Sequence, residues 1–241
     1  MQYLHLMIPK NIFQSWYTLQ LHPLIESRIN IMKKTNPEYT HKIYTDSQMD
    51  DFVNTEYKGE IADCYNKLNI IVAKVDFWRY LILYKYGGVY LDMDSHINVP
   101  LNEIIRDDDE AIITAENNPN LFAQWALFFN KKHPILKQLI ELIVFNINTN
   151  KHPNNVSKMT GPYAFSTAIK MCHYSAYNAL LNRDAITADT DITYMANNVT
   201  YRIYGIDYNN KLLFKFPDWR LLYINKKHWK EEIKTKELLK L

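Results

Sequence analysis

The stretch YGGVYLDMDSH, which runs from Tyr86 to His96, is the most informative part of the sequence for the fold. Two of the 5 glycines in the chain stand together near its start, and an apolar run then leads to two aspartates one residue apart. Because a long helical pattern ends at Tyr86, Gly87 is expected to cap a helix in the left-handed conformation, and Gly88 to let the chain turn sharply into a strand. An ordinary helix-to-strand turn therefore explains both glycines.

The two aspartates, Asp92 and Asp94, need a different explanation. Residues i and i+2 of a strand face the same side, so both carboxylates are expected to project together from the carboxyl end of the strand VYLDMD, where open α/β sheets bind ligands. Neighbouring carboxylates repel each other unless a cation joins them, and Mg²⁺ or Mn²⁺ accepts such oxygen ligands. The spacing therefore predicts a metal site. A calcium loop is disfavoured, because no Gly and no distal Glu follow in its register.

Short strands alternate with helical patterns along the chain, which predicts an α/β fold with a mostly parallel sheet flanked by helices. The helical pattern is strongest over Asn69–Tyr86, and a second one begins at Leu24 and stops at Asn36, before Pro37. The predicted strands are Met7–Trp16, His41–Asp46, Val89–Asp94 and Ala111–Glu116. No repeat or flexible linker divides the sequence, which favours a single domain.

Composition and charge exclude several classes of protein. Hydrophobic residues make up 47% of the 241 residues, enough for a sizeable core. With 28 basic and 26 acidic residues the formal net charge is +2, so no nucleic-acid partner is expected. No apolar run approaches the roughly 20 residues of a membrane span, and the first residues do not resemble a signal peptide.

The two cysteines, Cys64 and Cys172, are too few for a disulfide framework, so a reducing compartment is expected. The expected location is therefore the cytoplasm, or the host cytoplasm if the source is a virus. A viral or AT-rich bacterial source is suggested by the many Asn, Lys, Ile and Tyr residues and the few glycines.

The segment KVDFWRYLILYKYGGVYLDMD, from Lys74 to Asp94, resembles the signature of the DXD-containing glycosyltransferases of the GT-A fold. That family includes fungal initiating α-1,6-mannosyltransferases, bacterial capsular polysaccharide sugar transferases and, more distantly, the glucosylating domains of large bacterial toxins. The residues that match its pattern are Asp76, Arg79, Tyr86, Gly87, Gly88, Tyr90, Leu91, Asp92 and Asp94.

Weaker matches lie on both sides of this segment. The opening IPKNIFQSW resembles the first strand of the family, with Phe13 where a histidine is usual. The other matching positions are Pro9, Gln14, Trp16, His133, Pro134 and the segment TGPYAF from Thr160. The resemblance implies one GT-A-type domain over residues 1–241, with the core signature in about 8–100 and a variable acceptor-side half in about 101–241.

By this resemblance, the chain is a metal-dependent retaining glycosyltransferase. It would move a hexose from a nucleotide-diphosphate sugar to a hydroxyl of a glycan, polysaccharide or lipid-linked sugar, giving an α-linkage. The resemblance favours a UDP-sugar over a GDP-sugar as donor. Two alternatives remain open, namely a toxin-like transferase that modifies a protein side chain and a non-catalytic sugar-nucleotide-binding protein.

The resemblance also assigns site residues. The predicted catalytic residues are Asp76, Arg79, Asp92 and Asp94, with Mn²⁺ or Mg²⁺ held by the last two. Asp76 and Arg79 would line the donor pocket, although an i, i+3 pair on a helix is also typical of a surface ion pair. Trp16 would face the nucleotide base unless it is plain core. The remaining donor-binding residues would be Gln14 and Tyr90.

Three later features have weaker interpretations. His133 is expected to start a helix, Thr160-Gly161-Pro162 to form a turn on the acceptor side, and Glu116 and Asn117 either to touch the acceptor or to form an ordinary loop.

The sequence near the end of the chain offers His228 as a third metal ligand, with Lys227 as an alternative contact to phosphate. The tail KKHWKEEIKTKELLKL has apolar residues near helical spacing among many lysines. Such a helix would either lie on an anionic membrane or pack on the core. Packing is favoured, because three glutamates dilute the positive face.

Overall fold

The computed structural model describes residues 7–97, 99–118, 121–177, 186–196, 199–210, 213–215, 219–223 and 229–240. Within them the strands are β1 Asn11–Ser15, β2 Thr40–Tyr44, β3 Gly88–Leu91, β4 Ser95–Ile97, β5 Ala111–Ala115, β6 Ala126–Phe129, β7 Asp191–Ala196, β8 Val199–Ile206 and β9 Leu213–Lys215. The α-helices are α1 Pro23–Thr35, α2 Asp46–Glu56, α3 Glu60–Lys67, α4 Ile71–Tyr86, α5 Pro134–Asn148, α6 Val156–Met159, α7 Pro162–Tyr177 and α8 Trp229–Glu232. The 3₁₀ helices are Leu101–Glu103, Asp207–Asn210 and Trp219–Tyr223.

The described strands form a seven-stranded sheet in the order β2-β1-β3-β6-β5-β8-β7, beside a two-stranded β4-β9 ribbon. Strand β1 runs parallel to β2 and β3, and β5 runs parallel to β8. The other three pairings are antiparallel, so the sheet is mixed rather than mostly parallel as predicted. The cause is connection length, because the ten residues between Ala115 and Ala126 are too few for the crossover of a dozen or more that parallel strands need.

The central strands are covered on both faces. Tyr90 of β3 and Leu127 of β6 face a core cluster that includes the buried residues of α4 and α5. Val89 and Phe128 face the other side, where Met32 of α1 packs against them. This double burial explains why β3 and β6 read as continuous apolar runs without alternation.

Helix α4 ends at the glycine pair as the sequence predicts. The Gly87 N–H donates to the Leu83 carbonyl at 2.8 Å, and the φ of Gly87 is 66°. Its ψ of 177° is extended, so the conformation is not the expected left-handed helical one. A Cβ on Gly87 would lie 2.7 Å from the Lys131 nitrogen, and one on Gly88, where φ is 116°, would lie 2.7 Å from the Asn11 carbonyl oxygen. Both glycines are therefore required by close backbone approach as well as by the turn.

The end of the chain packs on the beginning of α4. The Asn69 N–H donates to the Leu238 carbonyl at 2.9 Å, and the Leu238 side chain is only 3% exposed. A carboxylate oxygen of Glu232 accepts the Ile71 N–H at 3.2 Å, and α4 has no capping side chain of its own. The predicted packing of the tail is confirmed. Within the described tail, α8 spans four residues, and Ile233, Leu238 and Leu239 pack against the core instead of lining an exposed helix face.

Among the described helices, none has the length and apolar character needed to cross a lipid bilayer. The most apolar run of the sequence, Pro134–Phe145, belongs to α5, whose buried side packs against the core.

Candidate functional site

Asp92 and Asp94 lie in a tight turn directly after β3. The strand ends at Leu91, and the N–H of Ser95 donates to the Asp92 carbonyl at 2.9 Å. Asp92 and Asp94 therefore lie in a turn and not in a strand, which corrects the prediction that they face the same side of a strand. The Asp92 side chain is 30% exposed, and Asp94 is also partly exposed.

Neighbouring strands hold the backbone of this turn. The Asp92 N–H donates to the Trp125 carbonyl at 2.7 Å, and the Gln14 side-chain amide donates to the Asp92 carbonyl at 3.2 Å. The Gln14 oxygen pairs with Nε2 of His41 at 2.8 Å, and burial lowers the pKa of His41 to about 4, so the ring is neutral and donates. Gln14 is fully buried with both amide atoms engaged. The structure therefore places Gln14 as a support of the turn, whereas the sequence analysis predicted that it contacts the donor.

Arg79 on α4 bridges the carboxylates of Asp92 and Asp76. Its Nη1 donates to Oδ1 of Asp92 at 3.1 Å, and its Nη2 lies 3.1 Å from Oδ1 of Asp76. The guanidinium carbon lies 4.5 Å from the centre of the Tyr90 ring, and the Tyr90 hydroxyl also donates to Asp92, at 2.9 Å. The Arg79 and Asp76 side chains are 4% and 2% exposed, so the surface-pair alternative is wrong. Tyr90 is buried beneath Arg79 and Asp92.

Asp76 is a buried carboxylate surrounded by donors. Besides Arg79, the Gln124 side-chain amide donates to its Oδ1 at 3.1 Å, and the Thr160 hydroxyl donates to its Oδ2 at 3.2 Å. Burial raises the pKa of Asp76 to about 6, against the opposing effect of the Arg79 charge. A Cβ on Gly161 would lie 3.3 Å from Oδ2 of Asp76. The Thr160-Gly161 turn therefore contacts the carboxylate predicted to bind the donor, and its role on the acceptor side stays a prediction.

Gln124 is a site residue that sequence reasoning missed. It precedes the buried run of β6, and its position beside Asp76 depends on contacts between residues 48 positions apart in the chain. The one available signal is a polar side chain directly before an apolar strand.

Trp16 follows β1, and its backbone N–H donates to the Tyr44 carbonyl at 3.0 Å. Its half-buried side chain lines a pocket of about 260 Å³ with Tyr17, Gln20, Leu21, His22, Leu221 and Leu222. The Tyr223 ring meets Trp16 edge-on with centroids 5.4 Å apart. Trp16 and Tyr223 pack against one cluster with Leu222 and with Met93, the residue between the two aspartates, so this second missed residue lies near both the pocket and the turn. Burial and the charges of Asp94 and Asp92 raise the pKa of Tyr223 to about 12. Trp16 therefore lines a pocket and is not an ordinary core residue.

His133 starts helix α5, as predicted. Its Nδ1 accepts the Ile135 N–H at 3.2 Å, and its Nε2 donates to the Thr200 carbonyl at 2.9 Å. Asn117 donates from its side chain to the Asp207 carboxylate at 2.5 Å, so it is tied into the loop after β8.

The described residues supply two carboxylates, Asp92 and Asp94, for the predicted metal. Lys227 and His228 lie outside the described residues, and no group of three or more His, Cys, Asp or Glu side chains suited to a metal occurs within the described part of the chain. Two partly exposed carboxylates fit Mg²⁺ or Mn²⁺, which are commonly held by one or two carboxylates together with substrate phosphates.

Known proteins are similar to parts of this sequence. Residues 24–111 match the family model described as a glycosyltransferase sugar-binding region containing a DXD motif. The chain is 30% identical over 163 residues to inositol phosphoceramide mannosyltransferase 3 of Schizosaccharomyces pombe, covering 66% of this chain and 44% of that protein. It is 28% identical over 181 residues to the initiation-specific alpha-1,6-mannosyltransferase of Candida albicans, and the match covers 64% of this chain and 47% of that protein. The chain spans about half the length of these two relatives.

The fold also has solved counterparts. The PaToxG glycosyltransferase superposes with a TM-score of 0.56 at 21% identity, covering 68% of this chain and 70% of that chain. At this identity the likeness shows the fold, and the predicted α/β class of GT-A type is confirmed. The matched residues 24–111 contain the D-x-D turn, and mannosyltransferases are among the relatives, so the chain is similar to the glycosyltransferases whose sugar-binding region contains a DXD motif.

Proposed function

We propose that the chain transfers a hexose, mannose foremost, from a nucleotide-diphosphate sugar to a hydroxyl of a glycan-type acceptor. The reaction depends on Mn²⁺ or Mg²⁺ and retains the anomeric configuration, giving an α-linkage. The observation that carries the proposal is the partly exposed turn at Asp92 and Asp94, bonded to Arg79 and lying beside the Trp16 pocket. Mannose is favoured because both relatives are named mannosyltransferases, and one name includes an α-linkage.

Asp92 and Asp94 would hold the divalent cation. When bound, the cation supplies neutralisation of the charge on the departing diphosphate. The guanidinium of Arg79 balances the negative charge of Asp92. Arg79 and Tyr90 together fix the rotamer of that carboxylate before any ligand binds. This preorganisation removes the cost of ordering the turn during binding.

The Trp16 pocket is the proposed site of the nucleotide base. It lies next to Tyr223, and Tyr223 is close enough to Asp94 and Asp92 for their charges to act on its hydroxyl. A base in the pocket and a diphosphate at the two aspartates therefore fit one extended ligand.

Retention is proposed from the family resemblance, and the carboxylates that the described residues bring to the site then favour front-face attack over a double displacement. A double displacement needs a free carboxylate nucleophile. Asp76 is buried and bonded to three donors, and Asp92 and Asp94 are assigned to the cation. The acceptor hydroxyl would therefore attack from the face that the diphosphate leaves.

The test is donor hydrolysis and transfer to methyl α-D-mannopyranoside, measured separately with GDP-mannose and UDP-glucose. We expect turnover of at least one donor with Mn²⁺, its loss in excess EDTA, and an α-anomeric product by NMR. Tight binding of both nucleotide sugars without turnover would favour the non-catalytic alternative. Undiminished turnover in EDTA would refute the metal dependence.

A further inference from the structure

Strand β7 lies at one edge of the seven-stranded sheet. Its six residues, Asp191–Ala196, pair with β8 in an antiparallel register without a bulge. Within the described residues, no strand pairs with the other side of β7. The opposite edge strand, β2, carries Lys42, whereas β7 has no lysine, proline or bulge. Because these are the usual devices that keep an edge from adding a further strand, β7 is an edge open to pairing.

The backbone groups that β7 offers follow from its bonds to β8. The Gly205 N–H donates to the Thr190 carbonyl at 2.7 Å, so the residue directly before β7 directs its backbone towards β8. These directions alternate from residue to residue along an antiparallel strand. The N–H and C=O groups of Asp191, Thr193 and Met195 therefore point away from β8.

These three residues match a second copy of the same strand. In an antiparallel pair centred on Thr193, this residue faces Thr193 of the second copy, and Asp191 of each copy faces Met195 of the other. The backbone groups of each facing pair are directed at the opposite strand, so each pair exchanges two hydrogen bonds. Moving the centre to Ile192 or Tyr194 would leave one of these three residues outside the overlap of the two strands. The register centred on Thr193 therefore satisfies the exposed edge best.

The apolar side chains also suit this register. Ile192 and Tyr194 lie opposite Ile203 and Tyr201 of β8, which are buried in the core, and Ile192 is 50% exposed at the edge. In the centred pair, Ile192 of each copy faces Tyr194 of the other. Pairs of a β-branched and an aromatic side chain stabilise neighbouring strands, and this one would extend the core across the junction.

The charges of β7 do not oppose the pairing. Asp191 is the one charged residue of the strand, and its carboxylate is ion-paired with Arg106 and with Nη1 of Arg202, the latter at 3.1 Å. In the centred pair it faces Met195, a side chain that is 79% exposed. The two Asp191 carboxylates stand four residues apart along the strands, so no like charges face each other.

We propose that two copies of the chain associate through an antiparallel β7–β7 pair centred on Thr193, which joins their sheets into one. A two-fold axis at Thr193 covers the open edge of both copies at once and leaves no further edge of this kind, as in closed dimers. The inference goes beyond the proposed function and does not depend on it.

Sedimentation velocity between about 1 and 100 µM protein tests the association, and the dimer fraction should rise with concentration because the interface is small. Thr193→Lys and Thr193→Glu each place like charges at the two-fold axis and should lower the association constant about fivefold or more. An equimolar mixture of the two variants should associate again, because the facing charges are then opposite. Thr40→Lys is the matched control, since Thr40 is an exposed threonine on the other edge strand, and it should leave the association unchanged.

Both Thr193 variants should fold, because the side chain is exposed and the backbone N–H of Thr193 is not used by β8; circular dichroism checks this. Hydrogen exchange gives a second measurement on the wild type, in which a peptide covering Asp191–Ala196 should exchange more slowly as the protein concentration rises. A wild type that stays monomeric, a dimer that both charge substitutions leave intact, or a mixture of the variants that does not associate would overturn the proposal. Protection of β7 that does not change with concentration would indicate another segment of the same chain on this edge and would overturn it as well.

Discussion

Acidification should destabilise the protein through His133. Both ring nitrogens are used in the neutral form, because Nδ1 accepts the Ile135 N–H and Nε2 donates to Thr200. A proton can be added only at Nδ1, where it would face the Ile135 donor. Burial accordingly lowers the pKa of His133 from 6.5 to about 4.

The sign and size of this pH effect on the unfolding free energy follow from proton linkage. The unfolded chain takes up the proton near pH 6.5 and the folded chain only near pH 4, so the contribution of His133 is present at neutral pH and is lost as the pH falls through this window. Between pH 7 and pH 5 this loss amounts to about 2 kcal/mol of unfolding free energy.

Urea denaturation followed by tryptophan fluorescence at both pH values provides the assay. His133→Asn keeps a side-chain acceptor for the helix start but does not titrate. The difference in unfolding free energy between wild type and His133→Asn should therefore shrink by about 2 kcal/mol from pH 7 to pH 5, and other titrating groups cancel in this difference. His22→Asn is the matched control, because His22 also precedes a proline and caps a helix but is partly exposed. Parallel losses in wild type and His133→Asn would refute the reasoning.

Three further predictions concern the site and its turn. Asp94→Asn should lower transfer on the order of a hundredfold or more with unchanged thermal stability, because it removes one anionic ligand; full activity at limiting Mn²⁺ would contradict this. Arg79→Lys should lower kcat/KM on the order of a hundredfold, because an ammonium cannot bridge Asp76 and Asp92, and rates near wild type would refute the bridging role. Gly88→Ala should lower the unfolding free energy measured by urea denaturation by about 2–3 kcal/mol, because φ is 116° and a Cβ would meet the Asn11 carbonyl. An unchanged urea midpoint would contradict this prediction.

Local patterns allowed prediction of the elements whose signals lie close together in the sequence. The apolar periodicity before Gly87 located α4, and the spacing of Asp92 and Asp94 located the candidate site, although it predicted a strand where the structure has a turn. The order and direction of the strands did not follow from such patterns. The direction of β6 is set by the length of its connection to β5, and its apolar run is equally typical of a parallel strand.

Long-range contacts account for what the sequence did not reveal. Gln124 and Thr160 meet Asp76 across 48 and 84 positions, and no local spacing encodes such meetings. The tail has helical spacing, yet its helix ends at Glu232. Further along, Leu238 packs in the core beside Asn69. Metal binding by His228 remains a prediction.

The bond between Glu232 and the first turn of α4 has a consequence for synthesis of the chain. It spans 161 positions, so the helix that carries Asp76 and Arg79 receives this cap only after Glu232 has left the ribosome. A nascent chain that stops at Tyr223 would carry the aspartate turn but leave the amino end of α4 without its acceptor. We therefore expect the amino end of α4 to be completed only after Glu232 has emerged from the ribosome, long after Asp76, Arg79 and Asp92 have been translated.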